Sequence, residues 1–289
     1  MPGTTAWTEG CTGREIAAGG DSARSMAVKR ESMANLLRTI EGEIIPRLVL
    51  ALQSAPAIPA PDGAARSVTG QEEVAEFARL VALHDVSVAS AYVSALLTRG
   101  VPMERIYLDL FAPAARLLGD WWKDDVRDFT QVTSGLCRMH QLLHEFSPAF
   151  QRDAQPTSPE RCILLSPMPG EQHSFGLIMV AEFFRRSGWD VWDLHPSAVA
   201  DLVGFVRRHW FSTIGLSLSC ESRMGELRPL ITTLREASRN RVVRIMVGGQ
   251  PFIGHPEQVA AVGADATASD GRRATLEAEK LVDGVRRGS

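Results

Sequence analysis

Residues 161–189 read RCILLSPMPGEQHSFGLIMVAEFFRRSGW. Cys162 to Pro167 is a short apolar run, the pattern of a strand buried on both faces. After Phe175 the apolar residues recur at helical spacing until Gly188. The loop between, GEQHSFG over 170–176, holds a carboxylate, an imidazole and a glycine at fixed spacing. A lone histidine in such a loop is commonly a cap or a surface residue, and a lone glycine means only a tight turn. Glu171, two residues before His173, alters that reading. Its carboxylate is placed to accept a hydrogen bond from one imidazole nitrogen, which fixes the tautomer and makes the other nitrogen a better metal ligand. Gly176 opens the helix and leaves room for a bulky group against the backbone.

Downstream the same alternation repeats. WDVWDL precedes a helix over 197–209, TIGLSLS one over 222–238, VVRIMVGG one near 256–262, and ADATAS a last helix to about 285. Five strand–helix repeats predict an α/β fold over 158–287, with a five-stranded parallel sheet covered on both faces. Ligands of such sheets lie beyond the carboxyl ends of the strands. GEQHSFG, LSLSC and VGGQP all fall at such ends.

Upstream, residues 71–150 read as helices only. Gly100 stops the second, Pro102 suits the first turn of the third, Pro113 marks an irregularity in it, and Asp128 is a candidate N-cap of the fourth. In that fourth helix Phe129, Val132, Leu136, Met139, Leu143 and Phe146 form an apolar stripe. Four helices with short turns predict a helical bundle. Before it, residues 1 to about 25 are small and polar like a disordered tail. A helical stretch with Pro46 as a kink and a Pro/Ala/Gly linker near 54–70 complete a 1–70 extension.

The 289 residues carry a net charge of -3 and a pI near 6.2, so a generally basic nucleic-acid surface is disfavoured. Cys11, Cys137, Cys162 and Cys220 form no CxxC pair, which argues against a thiolate zinc site and for a reducing compartment. No apolar run suits a secretory leader or a membrane span. The expected location is the cytoplasm. There is no P-loop and no G-x-S-x-G, so no enzymatic role is expected.

The loop 170–176 resembles the D-x-H-x-x-G motif of the cobalamin-binding domain of corrinoid enzymes and cobalamin-dependent regulators, a Rossmann-like (flavodoxin-like) fold. Two further motifs follow in the family's order. Ser217-Leu218-Ser219 is similar to its S-x-L segment and Gly248-Gly249 to its G-G segment, and GADATASDGRRA is similar to its C-terminal end. The resemblance implies that His173 is the lower cobalt ligand and that Glu171 supports it. Gly176, Ser217, Ser219, Gly248 and Gly249 then line the cofactor and its buried nucleotide tail. Glu171 stands where the family usually has aspartate, and Ser219 where it has leucine. LLGDWW resembles the L-G-x-x-W element of the family's cap bundle, which implies that Trp122 covers the corrin; the plain alternative is an ordinary core or surface aromatic. The Glu-His pair of light-sensing adenosylcobalamin repressors falls here on Val132 and Thr133. It is missing, so the implied form is hydroxocobalamin rather than adenosylcobalamin. His140 and His144 share a helix face one turn apart, as a packed or solvated pair, a two-histidine metal site, or an upper ligand for His140.

FTQVTSGLCRMHQLLHEFSP, GEQHSFGLIMVAEFFRRSGW and VWDLHP are similar to the photosynthesis-regulating AerR/PpaA proteins. That resemblance implies a light-responsive cobalamin protein acting as antirepressor of a CrtJ/PpsR-type repressor, with DNA reached only through that partner and no membrane. A corrinoid methyl carrier serving a methyltransferase has the same layout and is the alternative.

Overall fold

A computed structural model describes residues 70–171 and 174–287. The expected tail, the helix around Pro46, most of the linker and His173 lie outside the described residues. The described chain belongs to one compact unit, residues 65–289.

Four helices form its first part: α1 (Gln71–Leu83), α2 (Val86–Thr98), α3 and α4 (Phe129–Phe150). Asp128 caps α4, accepting from Gln131 N at 2.8 Å, as its side chain and position predict. α3 runs as Met103–Arg105, a π-helical stretch Ile106–Phe111, and Ala112–Lys123. Pro113 has no N–H to return to the carbonyl four residues back, and the turns before it widen so that Ala112 N reaches Tyr107 O instead. The predicted irregularity is therefore a π segment. The core is aromatic: Tyr107 stacks on Phe150 at 4.3 Å and Phe77 on Phe111 at 5.4 Å. Gly135 lets α4 approach the bundle closely, since a Cβ there would lie 3.3 Å from the Leu118 side chain. Of the predicted α4 stripe, Val132, Met139, Leu143 and Phe146 are buried and Leu136 is half-buried. Phe129 is 68% exposed. It stands in the first turn of α4, where no other helix covers it.

The second part alternates strictly. β1 (Ser158–Pro167), α5 (Phe175–Arg186), β2 (Trp189–Asp193), α6 (Val199–Arg208), β3 (Thr213–Ser217) and α7 (Met224–Ala237) are followed by β4 (Arg244–Gly248), α8 (Pro256–Val262), β5 (Ala266–Thr267) and α9 (Gly271–Arg287). All strands are parallel, in the order β2-β1-β3-β4-β5, so the sheet grows outward in opposite directions from β1 and β3, which makes their boundary the topological switch point. β5 is shorter than ADATAS suggests. The Asp265 carboxylate takes the Ile245 N–H at 2.6 Å and pairs with Arg235, so a side chain replaces the start of the ladder.

α5 joins the two parts because it is apolar on two faces. Phe175, Met179 and Phe183 enter the bundle core, while Leu177, Ala181 and Phe184 pack on the sheet. Between these faces the buried Glu182 accepts from Ser147 Oγ at 2.6 Å, Gln151 Nε2 at 2.9 Å and Arg185 Nη1 at 3.0 Å. A charged side chain buried in this way is stable because each oxygen is satisfied.

Candidate functional site

The β1/β3 switch point gathers the predicted residues. Pro167 pairs with Ser217 in register and Ser217 with Gly248, so three strands end together. Met168 N donates to Ser217 O at 2.9 Å and Leu218 N to Gly248 O at 3.0 Å, continuing the ladder one residue into the loops. Gly170, at φ +78, turns the chain after β1, and Glu171 N closes back on Met168 O at 2.9 Å. The Glu171 carboxylate then accepts from Ser219 N at 3.4 Å. Its predicted support of His173 falls on a residue outside the described ones.

The glycines divide into two kinds. Gly249 has φ +109, and a Cβ there would lie 1.9 Å from the Leu218 carbonyl oxygen. A glycine is required there by the protein's own backbone. Gly248 and Gly176 are different, since a Cβ at either meets nothing within 4 Å. Both open onto free space at the sheet's carboxyl edge. Ser217 is half-buried beside them, and its hydroxyl makes no hydrogen bond among the described residues. An open edge with a hydroxyl left to bond fits a bulky group carrying a buried acceptor.

The bundle supplies a roof. α4 and α5 run side by side in the same direction: the His140 ring meets the Phe175 ring edge-on at 5.2 Å, and Ser147 and Gln151 meet Glu182. About three turns of α4 before His140 therefore continue past the start of α5, on the side to which the strands' carboxyl ends point. At that end Trp122 is 50% exposed, Val126 57% and Phe129 68%, an uncovered apolar group on the α3–α4 turn. Trp122 thus stands on the bundle end, apart from the loop cluster.

His140 Nδ1 lies 2.8 Å from Leu136 O, so it carries the proton, and His144 is exposed. Among the described residues no group of three or more His, Cys, Asp or Glu is placed to hold a metal ion. Arg223 was not singled out by sequence. Its Nη2 donates to Pro169 O at 2.9 Å and to Glu226 at 2.8 Å, tying the β3 loop to the β1 loop. The Glu226 hydrogen bond, with the fields of Glu226 and Glu171, holds its guanidinium even more firmly protonated. No local pattern marks such a residue, because its partner is a carbonyl brought near only by the fold.

The order 2-1-3-4-5 and the helices packed beside it define the class: a Rossmann-like α/β domain joined to a helical bundle. Comparison with known proteins shows what the chain is similar to. Residues 161–278 match the family model of the B12 binding domain. An uncharacterized 20.5 kDa protein from the bchF-crtJ intergenic region of Rhodobacter capsulatus is 29% identical over 170 residues, covering 59% of this chain and 88% of that one. The monomethylamine corrinoid protein of Methanosarcina barkeri shares the fold at a TM-score of 0.60 and 18% identity, covering 73% of this chain and 100% of that one. A cobalamin-binding protein from Desulfitobacterium hafniense aligns at a TM-score of 0.38 and 16% identity over 72% of this chain and 98% of its own. Among the described residues no helix is long and apolar enough to cross a membrane.

Proposed function

We propose that the chain binds cobalamin at the carboxyl edge of its sheet and acts as a light-responsive antirepressor of a CrtJ/PpsR-type repressor. The observation that supports the regulatory reading is the similarity to a protein from the bchF-crtJ intergenic region. In this reading His173 would hold the cobalt and Glu171 would support it. Ser217 donates its hydroxyl to the buried end of the nucleotide tail, and the open sides of Gly176 and Gly248 leave space for the group. Trp122, with Phe129, covers the corrin from the bundle. When bound, cobalamin would supply a light-absorbing cobalt centre, as hydroxocobalamin rather than adenosylcobalamin.

The protein's own part is to bind, orient and report. A group held between the α4 overhang and the sheet edge favours one arrangement of bundle against sheet, and a partner with different affinity for the two arrangements reads that preference. No substrate chemistry is assigned to the chain, and DNA is reached through the repressor. The fold likeness to a monomethylamine corrinoid protein favours a second reading, a methyl carrier.

Repressor displacement separates the two. Repressor bound to labelled duplex DNA is titrated with the chain preloaded with hydroxocobalamin, in darkness and under light. Release that depends on cofactor and light supports the antirepressor. No release, together with methyl transfer to the bound corrinoid by a methyltransferase, supports the carrier.

A further inference from the structure

At the opposite, amino-terminal edge of the sheet two loops enter adjacent strands. Residues 209–212 lead from α6 into β3, and residues 238–243 lead from α7 into β4. Trp210 on the first is 44% exposed, and Val242 on the second 56%. Around this apolar pair stand Arg207, Arg208, Arg239 and Arg241, all exposed. Arg235 and Arg244 nearby are paired with Asp265. The four outer arginines have no carboxylate partner among the described residues; Arg241 meets only the Glu236 carbonyl and Arg239 only the Arg208 carbonyl. In a chain of net charge -3 this is a local reversal of sign.

The two loops are tied together. Arg239 Nη1 donates to Arg208 O at 3.1 Å, Asn240 Nδ2 to Phe211 O at 2.9 Å, and Val242 N to Asn240 Oδ1 at 3.1 Å. Flanking Trp210 in sequence, His209 and Phe211 pack into an aromatic cluster with Trp192 and Phe205. The platform is therefore formed before anything binds, which lowers the ordering cost of association. Tryptophan and arginine are also the side chains that most often dominate interface energetics. A phosphate backbone would engage the arginines but offers nothing to Val242. A protein segment with an apolar side chain flanked by carboxylates engages all of them.

We infer that this edge is the surface on which the chain docks an acidic segment of a partner protein. The inference rests on the reading above for the partner, the repressor. Ser217 and Gly248 lie at the far ends of the same strands, about 16 Å away, so cofactor and partner occupy the domain together.

The test measures binding of the full-length chain, loaded with hydroxocobalamin, to the repressor by biolayer interferometry. Trp210→Ala and two charge-reversed pairs, R207E/R208E and R239E/R241E, are compared with the parent, and the retained corrin spectrum serves as folding control. Each variant is expected to bind the repressor at least tenfold more weakly with the corrin spectrum unchanged, and parent binding is expected to weaken with added salt. Should Trp210→Ala disturb folding, the exposed arginine pairs decide the matter alone. Parent and variants that bind alike overturn the surface and leave the antirepressor reading standing. A parent that does not bind the repressor overturns both. Loss of duplex-DNA binding in the reversed pairs, with repressor binding intact, assigns the patch to DNA and overturns the docking assignment.

Discussion

Alanine at Gly249 and at Gly248 distinguishes a glycine that the fold needs from one that the proposed cobalamin site needs. At Gly249 the backbone has φ +109, and the new Cβ would lie 1.9 Å from the Leu218 carbonyl oxygen. The obstacle is backbone, so relief requires the Leu218 peptide to move, and its N–H bonds Gly248 O at 3.0 Å. A non-glycine residue held in a sparsely populated region costs about 1–3 kcal/mol. Loss of one buried backbone hydrogen bond adds about 1 kcal/mol. Gly249→Ala should thus destabilise the cofactor-free chain by about 2–4 kcal/mol. Gly248 has no positive φ and its Cβ meets nothing within 4 Å, so alanine there should change stability by less than about 0.5 kcal/mol. Under the proposed cobalamin site its effect is expected on cobalamin affinity, because the open space beside it is reduced. The assay is urea denaturation of the cofactor-free chains followed by far-UV circular dichroism, with cobalamin affinity measured in parallel. A Gly249→Ala chain as stable as its parent, or a Gly248→Ala chain destabilised as strongly as Gly249→Ala, would refute the assignment.

Three further outcomes are expected. Glu182→Ala strands Ser147 Oγ at the bundle–sheet junction, leaves Gln151 Nε2 only its bond to the Glu182 carbonyl, and should cost about 1–3 kcal/mol, with Glu182→Gln milder; equal denaturation midpoints for all three chains would contradict this. Gly135→Leu must push α4 away from Leu118 and Ala82 and should destabilise by about 1–3 kcal/mol in the same assay, an effect absent at the open Gly119. Burial, aided by the Asp190 carboxylate, pushes the Cys162 thiol up to about 12. An unfolded thiol ionises near pH 8.5, so the contribution of Cys162 to stability is complete below that pH and is lost as pH rises toward 12. At about pH 8 a thiol reagent should label the exposed Cys137 and Cys220 in the native chain and spare Cys162, and mass spectrometry of the labelled peptides checks this.

Much of this architecture is legible because period is a local property. The strand runs, the helices between them, the Asp128 cap and the three loops at the carboxyl edge follow from spacing and residue type. The rest depends on what the fold brings near. Phe129 continues an apolar stripe in sequence, yet it is exposed because α4 extends past its neighbours. Ser219 contributes its backbone N–H to Glu171, which any residue would supply, so its side chain carries no signal of that role. Gly249 answers to the Leu218 carbonyl and Arg223 to the Pro169 carbonyl, contacts between loops far apart in sequence. The two-faced apolar pattern of α5 is visible in FGLIMVAEFF, but only the packed bundle shows that its second face has a partner.

The central claim is that the loop carrying Glu171 and His173 holds cobalamin. Its most direct measurement is the absorption spectrum of the purified full-length chain after incubation with hydroxocobalamin, in darkness and under light, followed by desalting, for the parent and for His173→Ala. The account predicts retained colour with a shifted corrin band in the parent, lost in His173→Ala, and stronger retention under light. A parent that emerges colourless in both conditions, or a His173→Ala chain that keeps the same shifted band, would contradict it.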